Sequence, residues 1–129
     1  MNGNEAGDAA DLLATAREAL LAEILPALPD DRRYTTLMIA NAMAIAAREF
    51  ALGSGADERE VERLRGLAAD AASPAEPESG DLPALRRIVA AAIRAGRFDD
   101  AAHAEAITGE LMHVVADRVA ISNPKALRE

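Results

Sequence analysis

Cysteine and tryptophan are absent from the sequence, and only Tyr34, Phe50 and Phe98 are aromatic. Without cysteine there is no disulfide framework, no thiolate metal site and no cysteine nucleophile. A cysteine-free chain fits a reducing cytoplasm. The β-branched and aromatic runs that mark strands are missing as well. The longest uncharged run, Tyr34 to Ala47, has fourteen residues. A membrane span needs about 20, so this run reads as a buried core helix. The start, MNGNEAGDAADLL, has no basic region followed by an apolar core, and no secretory signal is expected. An excess of basic residues is also lacking: 14 basic side chains face 22 acidic ones, a formal net charge of -8. That balance argues against nucleic acid and against an anionic membrane surface as partners, since both are bound by clustered Lys and Arg.

Alanine and leucine fill these gaps, and both are strong helix formers. The expected fold is a single all-α domain over residues 1–129, a bundle of about five helices with a central, nearly all-apolar second helix. Residues 1–7 are expected to fray. Asp8 or Asp11 would cap a first helix running to about Leu25, with Leu12, Leu13, Ala16, Ala19, Leu20 and Ile24 on its main face. Pro26 and Pro29 would end it. Asp30 or Asp31 opens the second helix, and Gly53 is read as its C-terminal stop.

A third helix would follow the GSGAD loop behind a D-x-x-E cap at Asp57 and Glu60. Glu60–Arg63 and Glu62–Arg65 are its expected i,i+3 pairs. The stretch SPAEPESGD, residues 73–81, reads as a mobile loop. Asp81 and Pro83 start a fourth helix with Leu85, Ile88, Val89, Ala92 and Ile93 on its apolar face. Gly96 closes it, and Phe98 is placed to fold back on Ile93. Asp99 or Asp100 caps a fifth helix that buries Ile107, Leu111, Val114, Val115 and Val119. The chain should leave that helix at Asn123-Pro124.

Three constellations carry chemistry. Glu110-Leu-Met-His113 is an E-x-x-H pair of the kind that serves di-metal carboxylate sites in bundles, and Asp117 extends it. Those sites use two such motifs, whereas this chain has one, and its polar flank reads as a solvated helix face. His103 reads as an exposed side chain. Arg86, Arg87, Arg94 and Arg97 fall within twelve residues and offer an anion site for a nucleotide or coenzyme A phosphate. No glycine-rich cradle accompanies them, and the simpler reading is a solvated helix face pairing with the nearby acidic loops. Asn41 and Arg48 lie within the apolar arc of Tyr34, Leu37, Ala44 and Ile45, and Glu23 is similarly misplaced in the first helix. These three are expected to form a buried polar cluster, Glu23 pairing with Arg48 or Asn41 across the interface between the first two helices. Such a cluster either fixes register or contacts a ligand. Hydrolase, P-loop and dinucleotide signatures are absent, so catalysis is not expected and no cofactor is implied.

The segments DLLATAREALLAEILPAL (11–28), RRYTTLMIANAMAIAARE (32–49) and ISNPKAL (121–127) resemble a family of uncharacterised small bacterial proteins. Members of that family are encoded beside acyl-CoA dehydrogenases and aminoglycoside-phosphotransferase-like kinases. Glu23, Pro26, Asn41, Ala44, Arg48 and Glu49 match the family pattern. The resemblance carries no established activity. It implies an accessory role in a route that handles hydroxylated acyl-CoA substrates by phosphorylation and dehydrogenation, with one of those enzymes as partner.

The favoured reading is a non-catalytic accessory or interaction module, which the resemblance would set in acyl-CoA metabolism. Homodimerisation through the surplus apolar face of the first or second helix is one way to cover that face. The rivals are a small-molecule binding protein for acyl-CoA or another anion, and a metal-dependent enzyme using Glu110 and His113.

Overall fold

The computed structural model describes residues 3–71 and 81–128. Four α-helices and no strand occur among them: α1 (Gly3–Ala19), α2 (Asp30–Asp70), α3 (Leu82–Arg94) and α4 (Ala101–Ser122). The all-α class is as expected; the count of five is corrected to four. The chain divides into two compact units, Met1–Ser54 with Ile121–Glu129, and Gly55–Ala120.

The correction lies in α2, which passes through Gly53, Ser54 and Gly55 without a break. Glycine in a helix interior costs only about 1 kcal/mol relative to alanine. Proline would cost about 3 kcal/mol, and none occurs between Pro29 and Pro74. Gly53 and Ala56 are buried, so packing offsets the glycine penalty. The expected second and third helices are therefore one.

α1 begins at Gly3, ahead of both candidate caps, Asp8 and Asp11. It passes into a π-turn at Leu20–Ile24, in which the N–H of Leu25 donates to the carbonyl of Leu20. Pro26 explains the widening. Its ring would clash with the carbonyl four residues earlier, and it has no N–H to continue the ladder. A short 3-10 turn, Leu25–Ala27, then hands the chain to Pro29 and α2.

α3 starts as its sequence predicts. Asp81 caps it, accepting from the N–H of Ala84, with Pro83 in the first turn. It ends in a Schellman turn: Gly96 N–H donates to Ile93 O, Arg97 N–H to Ala92 O, and Gly96 takes φ 77°. Of the predicted loop at 73–81, only Asp81 lies among the described residues. α4 is capped by Asp100, which accepts from the N–H of His103, and stops before Pro124.

The core belongs to the second unit. Leu64, Leu67, Ala71, Leu85, Val89, Ala92, Phe98 and Ile107 form one buried cluster, with Val61, Leu82 and Leu111 packed against it. Phe98 enters this cluster while Ile93 remains exposed, so the fold-back contact runs to the core. Val115, expected inside, is also exposed. It lies at the edge of the buried arc, beyond Leu111, while Val114 on the same turn is half-buried.

Candidate interaction surface and the Glu60 ion-pair hub

In the first unit, Arg17 on α1 donates from Nε to the carbonyl of Ala40 on α2 at 3.0 Å. Ala40 is fully buried, which allows the two helices to approach closely there. At about 100° per residue, Thr36, Ala40, Met43 and Ala47 make the inner side of α2. All four are buried or half-buried. The Thr36 hydroxyl is satisfied by the Arg32 carbonyl at 2.9 Å.

The opposite side of the same helix is also apolar. Tyr34, Leu37, Met38 and Leu52 lie there, all exposed, and Tyr34 is 74 % exposed. On α1, the turn-facing residues are Leu13, Arg17 and Leu20, half-buried, while Leu12 (72 %) and Ile24 stay outside. The expected main face of α1 is thereby split. The nearly all-apolar segment of α2 is not enclosed by protein, contrary to its expected central position. Ile39 and Phe50 are exposed as well, and Leu127 follows in the tail. The large buried side chains cluster in one unit and most exposed apolar ones in the other.

The three polar residues expected to form a buried cluster are not brought together in one. Glu23 and Asn41 are exposed. Arg48 turns to the end of α4, donating from Nε to the carbonyl of Ile121 at 2.6 Å. Asn41 sits in the middle of the exposed stripe, flanked along the helix by Leu37, Met38 and Ile45.

The second unit has a polar centre of its own at Glu60, whose side chain is only 5 % exposed. Arg86 grips it with two bonds, Nε to Oε1 at 2.7 Å and NH2 to Oε2 at 3.0 Å. Arg118 adds Nε and NH2 bonds to Oε2 and reaches Asp57 at 2.6 Å. The Arg86 bonds hold the Glu60 carboxyl below its usual range, overcoming the opposing effect of burial, and Arg118 assists. Asp57 and Glu60 thus serve α4 and α3 from the middle of a helix; the capping role expected of them is corrected.

Two further pairs join α2 to α4: Arg59 Nε to Asp117 Oδ2 at 2.9 Å, and Arg63 NH1 to Glu110 Oε2 at 2.7 Å. Arg59 lowers the pKa of Asp117. Tertiary partners therefore replace the expected i,i+3 pairing of Glu60 with Arg63. Glu110 and Asp117 are ion-paired, His113 is exposed, and no metal-competent cluster occurs among the described residues. An open groove of about 540 Å³ beside these pairs is lined by Arg59, Arg63, Gly66, Leu67, Ala106 and Glu110, among others. Both of its arginines already hold carboxylates.

The four candidate anion-binding arginines are not convergent. Arg86 holds Glu60, and Arg97 donates to the Ala71 carbonyl at 3.3 Å, while Arg87 and Arg94 are exposed. His103, expected to be an exposed side chain, is partly exposed, pairs through Nδ1 with Asp100 at 2.5 Å and meets the Phe98 ring edge-on at 6.4 Å. The Glu60 hub escaped sequence reasoning. Its one available signal was a carboxylate next to Val61, Leu64 and Ala68, which recur at helical spacing. No helix among the described residues is long and apolar enough to cross a membrane.

Comparison with curated proteins and with solved structures returns no match. The family model described as Domain of unknown function (DUF6285) matches residues 26–126, all of the second unit and somewhat more than half of the first, and the chain belongs to that family.

Proposed function

We propose that this protein is a non-catalytic interaction module whose N-terminal helical hairpin is the binding element. The observation that carries this reading is the asymmetry between the units. The second unit buries a contiguous core. In the first, Tyr34, Leu37, Met38 and Leu52 remain exposed along one face of α2. Large apolar side chains recurring on one exposed helix face mark a site that another protein covers. The residues with metal- or anion-binding potential support the same reading, because Glu110, Asp117, Arg86 and Arg97 are engaged in holding helices together. The small-molecule and metal-enzyme readings draw no comparable support.

The resemblance described for residues 11–49 and 121–127 supports an accessory role in acyl-CoA metabolism. In that role the hairpin binds an acyl-CoA dehydrogenase or an aminoglycoside-phosphotransferase-like kinase. Co-purification with each enzyme at micromolar concentration tests this. Wild-type chain should associate and a Leu37→Asp/Met38→Asp variant should not. Failure of the wild type to bind either enzyme counts against the accessory role.

A further inference from the structure

We infer that the outer face of α2 docks on the same face of a second copy of this chain, antiparallel, about a two-fold axis at Asn41. The inference rests on the interaction-module reading and names the occupant of its surface. Three observations favour a second copy.

The first is area. On the outer face of α2, Tyr34, Leu37, Met38 and Leu52 are each about half to three-quarters exposed. Together they offer roughly 400 Å² of apolar surface per copy, the scale of a small interface that associates in the micromolar range. The second is pattern. Tyr34, Leu37, Met38, Asn41, Ile45 and Leu52 recur at the three- and four-residue spacing of a helix–helix seam. Asn41 lies exposed in the middle of that seam. A lone amide in an apolar stripe is costly against an apolar partner surface. Against its own two-fold mate it finds both a donor and an acceptor, and such an asparagine sets register.

The third is charge. In an antiparallel pair centred on Asn41, Leu37 lies level with Ile45 of the other copy and Met38 level with Ala44. Arg48 then reaches the ring of Tyr34, the most exposed large apolar side chain of the chain's described residues. A guanidinium over an exposed aromatic face is attractive. The Arg48 Nε is already committed to the Ile121 carbonyl, which holds the group in place and leaves its terminal nitrogens available. A parallel pair would instead set Arg48 against Arg48, a like-charge contact.

The absence of cysteine makes the test direct. Sedimentation equilibrium of the wild type should give twice 13.5 kDa at tens of micromolar. Met38→Asp should weaken self-association by about thirty-fold or more, the effect of losing one central hot-spot contact. Helix content by circular dichroism should be unchanged, since Met38 is exposed in the monomer. Asn41→Cys should cross-link to itself on mild oxidation. Spin labels on Asp30→Cys should lie roughly 33 Å apart along the helix axis, from twenty-two residues at 1.5 Å each. A short distance between the Asp30 labels would overturn the antiparallel arrangement. A monomeric wild type with no Asn41→Cys cross-link would overturn the second copy altogether. If that monomer still bound the dehydrogenase or the kinase, the interaction-module reading would survive. A dimer without affinity for either enzyme would support the present inference while removing the accessory role.

Discussion

Replacing Arg86 and Arg118 together by methionine keeps their apolar stems and takes both cations from Glu60. The Glu60 side chain is 5 % exposed, so its carboxylate is left in a site that water scarcely reaches. Loss of Arg86 alone removes two charge-assisted bonds. Because its side chain is 51 % exposed, solvent screening limits that loss to about 1–2 kcal/mol. Loss of both cations leaves an uncompensated buried charge and should cost about 3–5 kcal/mol, a large part of the ~5–15 kcal/mol that holds a domain folded. Restoring neutrality with a third change, Glu60→Met, should recover most of the deficit, since an apolar trio of similar volume is often as stable as a buried ionic one.

The pH dependence follows from the direction of the Glu60 shift. In the wild type the folded-state pKa is lowered, so the folded state binds its proton less readily than the unfolded chain. The stabilisation is present above the unfolded carboxyl value near ~4.3 and is lost as pH falls through the lower folded value. In the double variant burial acts alone and raises the folded value. Its deficit should be largest at pH 7 and should shrink as the pH falls towards 4. Urea unfolding followed by circular dichroism at several pH values measures both effects. A double variant within about 0.5 kcal/mol of wild type, the range of an ordinary surface change, would refute the hub. So would a triple variant no more stable than the double.

Three other predictions probe local geometry. Gly66→Ala meets no atom within 4 Å on its added methyl and should raise stability by about 0.5–1 kcal/mol, as expected for glycine replaced inside a helix. Gly96→Ala should instead destabilise by about 1–2 kcal/mol, because Gly96 has φ 77° and its new Cβ would lie 3.0 Å from Asp99 Oδ2; opposite shifts in the urea midpoint distinguish the two glycines. Ala40→Leu places three extra carbons at a fully buried position beside the Arg17 contact and should cost about 1–3 kcal/mol, read as faster proteolysis within residues 30–50.

Much of the second unit was legible in the sequence because the signals there are local. Asp81 with Pro83 starts α3, Gly96 closes it, and Asp100 caps α4, each through a contact within four residues. The GSG stretch misled for the same reason. A glycine pair resembles a stop when read locally, and only the burial of Gly53 and Ala56 shows why α2 continues. The candidate site was legible in part. The arc holding Tyr34, Leu37, Asn41 and Ile45 is a true face of α2, but which face of an apolar helix is covered depends on its neighbours.

The sequence by itself determined the all-α class, the ends of α3, the start of α2 and the exit from α4 at Pro124. These follow from propensity, proline stereochemistry and side-chain capping, all of which act over one turn. The tertiary structure alone decided that Glu60 pairs with Arg86 and Arg118 rather than with Arg63. It also decided that Ala40 rather than Asn41 faces α1. Those choices are made between residues more than twenty positions apart, where packing geometry and the cost of burying charge outweigh any preference of the local chain.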